Sequence, residues 1–149
     1  VRAINRGEKL TTIFCNNAGY GTTGGQMSPT SLLGQKTTTT PLGRDADMTG
    51  LPFHVAEFLA TLPGVVYSAR HCLTSLATYN RTKRAIKTAF MKQIDGVGYG
   101  FVEILVATST CWKMSPQEGL KWLEEHMMDE FTLGEFKNTD EVVIKHRLG

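Results

Sequence analysis

Asn16-Asn17-Ala18-Gly19-Tyr20-Gly21-Thr22-Thr23-Gly24-Gly25-Gln26-Met27-Ser28-Pro29-Thr30 is the stretch whose reading decides the fold. It follows directly on Leu10-Thr11-Thr12-Ile13-Phe14-Cys15, a short apolar run rich in the β-branched and aromatic residues that suit a buried strand. A strand that stops at two asparagines and runs on into glycines leaves its sheet at the carboxyl edge. In open α/β sheets that edge is where ligands sit. Glycines let the backbone approach a ligand closely, and threonine hydroxyls and free amides hold phosphate oxygens. Residue types alone leave a second reading open, a surface loop whose glycines serve only positive φ.

Outward from this stretch the chain alternates between helical and extended patterns. Upstream, Val1-Arg2-Ala3-Ile4-Asn5-Arg6-Gly7 reads as the last turn of a helix, basic near its end and closed by glycine. With no initiator methionine and no signal-like apolar segment, the sequence reads as a fragment. Downstream comes a loop of roughly 35 residues, a length that is usually functional or disordered. It carries Thr37-Thr38-Thr39-Thr40-Pro41, an extended segment because the residue before proline is pushed out of the helical region. Arg44, in Gly43-Arg44-Asp45, is either a bidentate grip on a carboxylate or phosphate or one half of a solvated pair with Asp45.

Val55, Phe58, Leu59 and Leu62 recur at helical spacing and predict a helix over about 53–61, stopped by Pro63-Gly64. Val65-Val66-Tyr67-Ser68-Ala69 reads as a short strand. Residues 75–94 form the longest predicted helix, with Leu76, Tyr79, Ile86, Phe90 and Ile94 on its core side. Arg81, Lys83, Arg84, Lys87 and Lys92 cover the remainder, as a solvated face or a surface for an acidic partner. Tyr99 to Ala107 is the strongest strand, nearly continuous in apolar character as a central parallel strand is. It ends in the polar loop Thr108-Ser109-Thr110-Cys111-Trp112. Ser115-Pro116 with Glu118 marks a helix start, and the helix runs to about Glu130, burying Leu120 and Leu123, with Trp122 and Met127 as further candidates. From Phe131 the tail packs on a neighbour or frays.

This order implies an α/β fold with a doubly wound, mostly parallel sheet and right-handed crossovers. The polar loops after residues 15 and 107 are expected to meet at one carboxyl-edge site. The 149 residues, 41% hydrophobic and 20% charged, suffice for one domain with a real core. A net charge of +2 with scattered basic residues gives no sign of nucleic-acid binding, and no apolar run reaches the roughly 18 residues of a membrane span. Three widely spaced cysteines argue for a reducing, cytoplasmic setting. His54, His71, His126 and His146 lack metal-ligand spacing and read as surface or capping residues. A nucleophile pair of Cys72 with His71 fails, because neighbours on an extended chain point apart. Cys111 lies in the loop at the expected catalytic edge, either near a cofactor or as an inert packed thiol. No residue is identified as catalytic.

Asn17 to Thr30 closely resembles the thiamine-diphosphate-binding β subunit of 2-oxoacid:ferredoxin oxidoreductases. Asn5-Arg6-Gly7-Glu8-Lys9, Leu33-Gly34-Gln35-Lys36-Thr37-Thr38-Thr39, Gly43-Arg44-Asp45 and Glu57-Phe58-Leu59-Ala60-Thr61-Leu62 share the likeness. So do Lys83-Arg84-Ala85-Ile86-Lys87, Trp112-Lys113-Met114-Ser115-Pro116, Leu120-Lys121-Trp122-Leu123-Glu124-Glu125 and Leu133-Gly134-Glu135-Phe136-Lys137, so the resemblance spans almost the whole chain. It is greatest to the branched-chain, 2-oxoisovalerate type, with the 2-oxoglutarate type next. On this resemblance residues 1–149 are the C-terminal part of a single thiamine-diphosphate-binding domain, whose upstream Gly-Asp-Gly motif would precede Val1.

The resemblance implies thiamine diphosphate and Mg2+, with Asn17 and the carbonyl of Gly19 as metal ligands. Tyr20, Gly21, Thr22 and Thr23 would line the diphosphate, Thr23 by its hydroxyl. Gly24 and Gln26 would face substrate or cofactor, and Arg44, read from its residue type alone, is a further candidate for substrate. Implied partners are the other subunits of the complex, ferredoxin, coenzyme A and a 2-oxoacid. The reaction is oxidative decarboxylation to an acyl-CoA, with 4Fe–4S clusters carrying electrons to ferredoxin. In this chain Thr108 stands where family members of this length have a cluster cysteine, and threonine is not a usual cluster ligand. A reading of another class also stands, a non-catalytic α/β assembly module on the same scaffold.

Overall fold

The strand that leads into the asparagine pair is Thr11–Asn16 (β1) in the computed structural model, which describes residues 1–142, the side chain of Thr110 excepted. His146 lies outside the described residues. The chain divides into two compact units. The first comprises Val1–Phe14, Val55–Ile104 and the chain from Leu133; the second comprises Cys15–His54 and Leu105–Thr132.

Val65–Cys72 (β2), Tyr99–Leu105 (β3) and Gly134–Asn138 (β4) join β1 in a mostly parallel, four-stranded sheet of order β1-β3-β2-β4. Because β2 is not the neighbour of β1, the chain crosses over between them, as the alternation of helices and strands predicts. The tail from Phe131 does not fray. Phe131 is fully buried, and β4 pairs antiparallel with β2, Tyr67 opposite Asn138 and Arg70 opposite Gly134. β2 also outruns its predicted end at Ala69, because Arg70 remains in the sheet with its charge answered inside the core. Its Nε donates to Glu103 at 2.9 Å and its Nη1 to Glu57 at 2.6 Å.

Arg2–Asn5 (α1) is the expected helix end, with Gly7 at φ 74° beyond it. Its Ile4 joins Ala56, Leu59, Val65, Tyr99 and Phe101 in the core of the first unit. Ala56 and Leu59 belong to Val55–Ala60 (α3), which is shorter at both ends than predicted.

Leu76–Ile94 (α4) begins at the Ser75 cap, but its inward face is not the predicted one. Thr82, Ala85, Ala89 and Lys92 are buried, whereas Leu76, Tyr79, Phe90 and Ile94 are exposed, Leu76 and Ile94 by 76% and 73%. A close approach to the sheet explains this. A Cβ on Gly100 would stand 3.1 Å from that of Ala89, so only small side chains fit along the contact. Lys92 is not part of the solvated charged face either. Its amino group donates to the Thr139 carbonyl and the Asp140 carboxylate, both at 2.8 Å.

The second unit holds the glycine-rich stretch, the short helices Ala46–Thr49 (α2) and Ser109–Trp112 (α5), and a helical run near residue 130. That run starts as Pro116–Trp122 (α6), with Ser115 and Glu118 capping each other's backbone. It widens into a π-helical turn at Leu123–Met127 and closes as Met128–Glu130 (α7). Leu123 and Met127 are buried as expected, but Leu120 is 44% exposed. The residue α6 turns inward is Gly119, which packs against the Trp112 ring.

Candidate functional site

The two asparagines at the end of β1 have different roles. Asn16 is buried, and its amide oxygen accepts from the Ala18 backbone N–H at 2.9 Å and the Thr30 hydroxyl at 2.8 Å. That turn puts Ala18 at φ 53°. The Ala18 carbonyl is taken by Ser31 Oγ at 2.7 Å and Gln35 Nε2 at 2.9 Å. Asn16 and Ala18 therefore build the loop and offer nothing outward.

Asn17 is held from the other segment of this unit. Its Nδ2 donates to Thr108 Oγ1 at 3.1 Å, and its main-chain carbonyl accepts from Trp112 Nε1 at 3.0 Å. This orientation leaves the Asn17 amide oxygen with no hydrogen bond among the described residues, and the Gly19 carbonyl has none either. Two neutral oxygens remain, two residues apart, in a loop whose other polar groups are largely paired. A hard divalent cation is satisfied by oxygens of this kind. Among the described residues no three His, Cys, Asp or Glu side chains gather for a metal.

Past Gly19 the chain folds back on itself, the Tyr20 N–H donating to Gln26 O at 3.0 Å and the Gly25 N–H to Tyr20 O at 2.8 Å. Gly24 and Gly25 form the tip at φ 126° and 77°. At Gly21 a Cβ would stand 3.2 Å from Asn17 Nδ2 and 3.4 Å from Cys111 Cβ, so glycine here relieves a tight approach. Gly21, Gly24 and Gly25 border a cavity of 610 Å3 together with Cys111, Lys36 and Lys113. Neither lysine has an ion-pair partner among the described residues, so the cavity is cationic and has backbone along one side. Burial pushes the Cys111 thiol up, which keeps it protonated and poorly nucleophilic.

Of the residues singled out from sequence, Asn17, Gly19 and Gly21 come together, and Gly24 borders the cavity beside them. Tyr20, Thr22, Thr23 and Gln26 are not in its lining. Thr23 donates its hydroxyl to Gln26 Oε1, and Gln26 Nε2 donates to the Thr23 carbonyl, both at 2.8 Å. Arg44 is neither solvated nor open to substrate. It is 5% exposed, and its guanidinium donates to the carbonyls of Gly50, Pro29, Ser31, Thr49 and Leu51, pinning the long loop to itself. Sequence reasoning missed Lys36 and Lys113 as cavity residues and Thr108 and Trp112 as supports of Asn17. The hydroxyl of Thr108, just past the end of β3, was the one local cue.

No protein-family model matches the chain. Curated relatives do. Ketoisovalerate oxidoreductase subunit VorA of Methanothermobacter thermautotrophicus is 42% identical over 138 residues, 93% of this chain and 29% of that protein. 2-Oxoglutarate synthase subunit KorB of Archaeoglobus fulgidus is 33% identical over 147 residues, 97% of this chain and 51% of that protein. A solved structure of 2-oxoglutarate:ferredoxin oxidoreductase from Magnetococcus marinus, with 2-oxoglutarate, coenzyme A and succinyl-CoA bound, matches 83% of this chain with a TM-score of 0.58. The match takes in 38% of that chain at 20% identity and shows a shared fold. No helix among the described residues is long and apolar enough to cross a membrane. The chain spans between 29% and 51% of the length of these curated relatives, and over that span it is homologous to subunits of 2-oxoacid:ferredoxin oxidoreductases.

Proposed function

We propose that this chain is the C-terminal part of a doubly wound, thiamine-diphosphate-binding domain in a 2-oxoacid:ferredoxin oxidoreductase. The observation that carries the reading is the pair of oxygens on Asn17 and Gly19 that have no hydrogen bond among the described residues, beside a glycine-walled cavity lined by Lys36 and Lys113. Asn17 and Gly19 would each give Mg2+ one oxygen. Thr108 holds Nδ2 of the Asn17 amide, so the amide oxygen is the atom that would be offered to the metal, a support of the kind on which metal affinity depends. Gly21, Gly24 and Gly25 would bring backbone to the diphosphate, and Lys36 and Lys113 would balance its charge. When bound, thiamine diphosphate supplies the electron sink for loss of carbon dioxide from a 2-oxoacid. Acyl transfer to coenzyme A and electron transfer through iron–sulfur clusters to ferredoxin engage other subunits of the complex.

The substrate we assign is 2-oxoisovalerate, on the 42% identity to a ketoisovalerate oxidoreductase subunit. The 33% identity to a 2-oxoglutarate synthase subunit over 97% of the chain favours 2-oxoglutarate as a second reading. Ferredoxin reduction by the intact complex, driven by each acid in turn, decides between them by kcat/KM. In the same complex Thr108→Val is expected to weaken Mg2+ binding by about 10–100-fold, and Asn17→Ala by at least as much. Metal titration followed by cofactor retention reads both. Full affinity in Asn17→Ala sinks the metal assignment.

A further inference from the structure

The unit built around the sheet has a cavity of 300 Å3, where β2 ends beside the first turns of α4 and the start of β4. His71, Thr78, Arg81, Arg84 and Glu135 stand around it over a buried floor of Cys72 and Ala85. Arg81 and Arg84 are three positions apart on α4, hence on one face. Both are exposed, and neither has a hydrogen-bond or ion-pair partner among the described residues. His71 is half-buried and likewise unpartnered.

Among the described residues Glu135 is the one carboxylate at this cavity, and it is occupied elsewhere. Its oxygens accept from the Tyr67 hydroxyl at 2.5 Å and from Asn138 Nδ2 at 3.3 Å. Two guanidinium charges therefore face the cavity against one carboxylate that is turned toward its own strand neighbours. His71 senses these charges: burial lowers its pKa, Arg81 and Arg84 lower it further, and Glu135 opposes them.

We propose that this cavity binds a phosphate group. A dianion answers both guanidiniums at once, and a tetrahedral set of oxygens meets donors from α4 and from the His71 ring on β2. A single carboxylate would leave one of the two charges unmatched. The volume is at the small end for ligand sites, so the recess takes the phosphate itself, with any organic remainder small or outside it. Free phosphate and a phosphate monoester share this chemistry. The site is separate from the glycine-rich loop and does not rest on the function proposed for it.

Isothermal titration of the full chain with inorganic phosphate and with glycerol 3-phosphate, at fixed ionic strength in chloride, tests this. Saturable binding of one or both probes is expected, weakened about tenfold or more in Arg81→Gln and in Arg84→Gln, as loss of a charged hydrogen bond implies. Phosphate alone would identify a free-anion site, and tighter binding of the ester a site for a phosphorylated molecule. Both arginines are exposed, so these variants are expected to fold, and circular dichroism checks it. The binding that the arginine variants lose should persist in Lys121→Gln, a lysine outside both cavities. The proposal is overturned by an absence of saturable binding to about 10 mM of either probe. It is equally overturned by saturable binding that both arginine variants keep at full affinity.

Discussion

Arg70 carries a charge with no exposed surface. Its guanidinium lies between Glu103, itself fully buried, and Glu57, with the Phe136 ring 5.2 Å from its central carbon. Removing one member of such a group leaves its partner charged and buried, which costs more than the group as a whole contributes. Arg70→Met is accordingly expected to lower unfolding free energy by about 3–5 kcal/mol, read from urea unfolding, and Arg70→Met with Glu103→Met to recover part of that loss. Nothing local announced the burial of this residue or of Arg44. A charged side chain reads as a surface one, and the partners that neutralise Arg70 lie 13 and 33 positions away. Asn17, Gly19 and Gly21 were legible for the opposite reason: the strand, the turn and the glycines that shape them are adjacent in sequence.

In α4 the extent of the helix was readable and its orientation was not. The Ser75 cap and the run of helix formers mark where it lies. Large apolar residues at Leu76, Tyr79, Phe90 and Ile94 trace one stripe, and the small residues Thr82, Ala85 and Ala89 trace another. Periodicity ranks the first stripe as the core face, whereas the separation of helix and sheet selects the second, and that separation is set at Gly100, outside the helix. Ala89→Leu is therefore expected to cost about 1–3 kcal/mol by overpacking. Ile94→Ala, on the stripe that periodicity favoured, should stay within about 0.5 kcal/mol. Thermal unfolding of the two variants side by side measures the difference. The same limit applies to α6, where Gly119 rather than Leu120 faces inward, against the Trp112 ring.

For the whole molecule, the resolved shifts of its acid-sensitive groups act in one direction. His71 in the folded chain resists the proton that an unfolded histidine accepts near 6.5, so its contribution is full above that pH and is lost as pH falls below it. Hydrogen bonds from Ser115 and Lys92 hold the carboxyls of Glu118 and Asp140 below their ordinary 4.5 and 3.8, and those contributions fade on further acidification. Urea midpoints at successively lower pH should therefore decline in two stages, and His71→Gln should abolish only the first. The molecule is also assembled from distant segments. Thr108, 91 positions from Asn17, aims the amide on which the candidate site depends, and residues 55–104 between them belong to the other unit. A gene thus carries the site in two instalments. A recombination break anywhere within the intervening codons parts the oxygen donors from the hydroxyl that orients them, so the site is inherited as one long cassette and cannot be lent to another protein as a short loop.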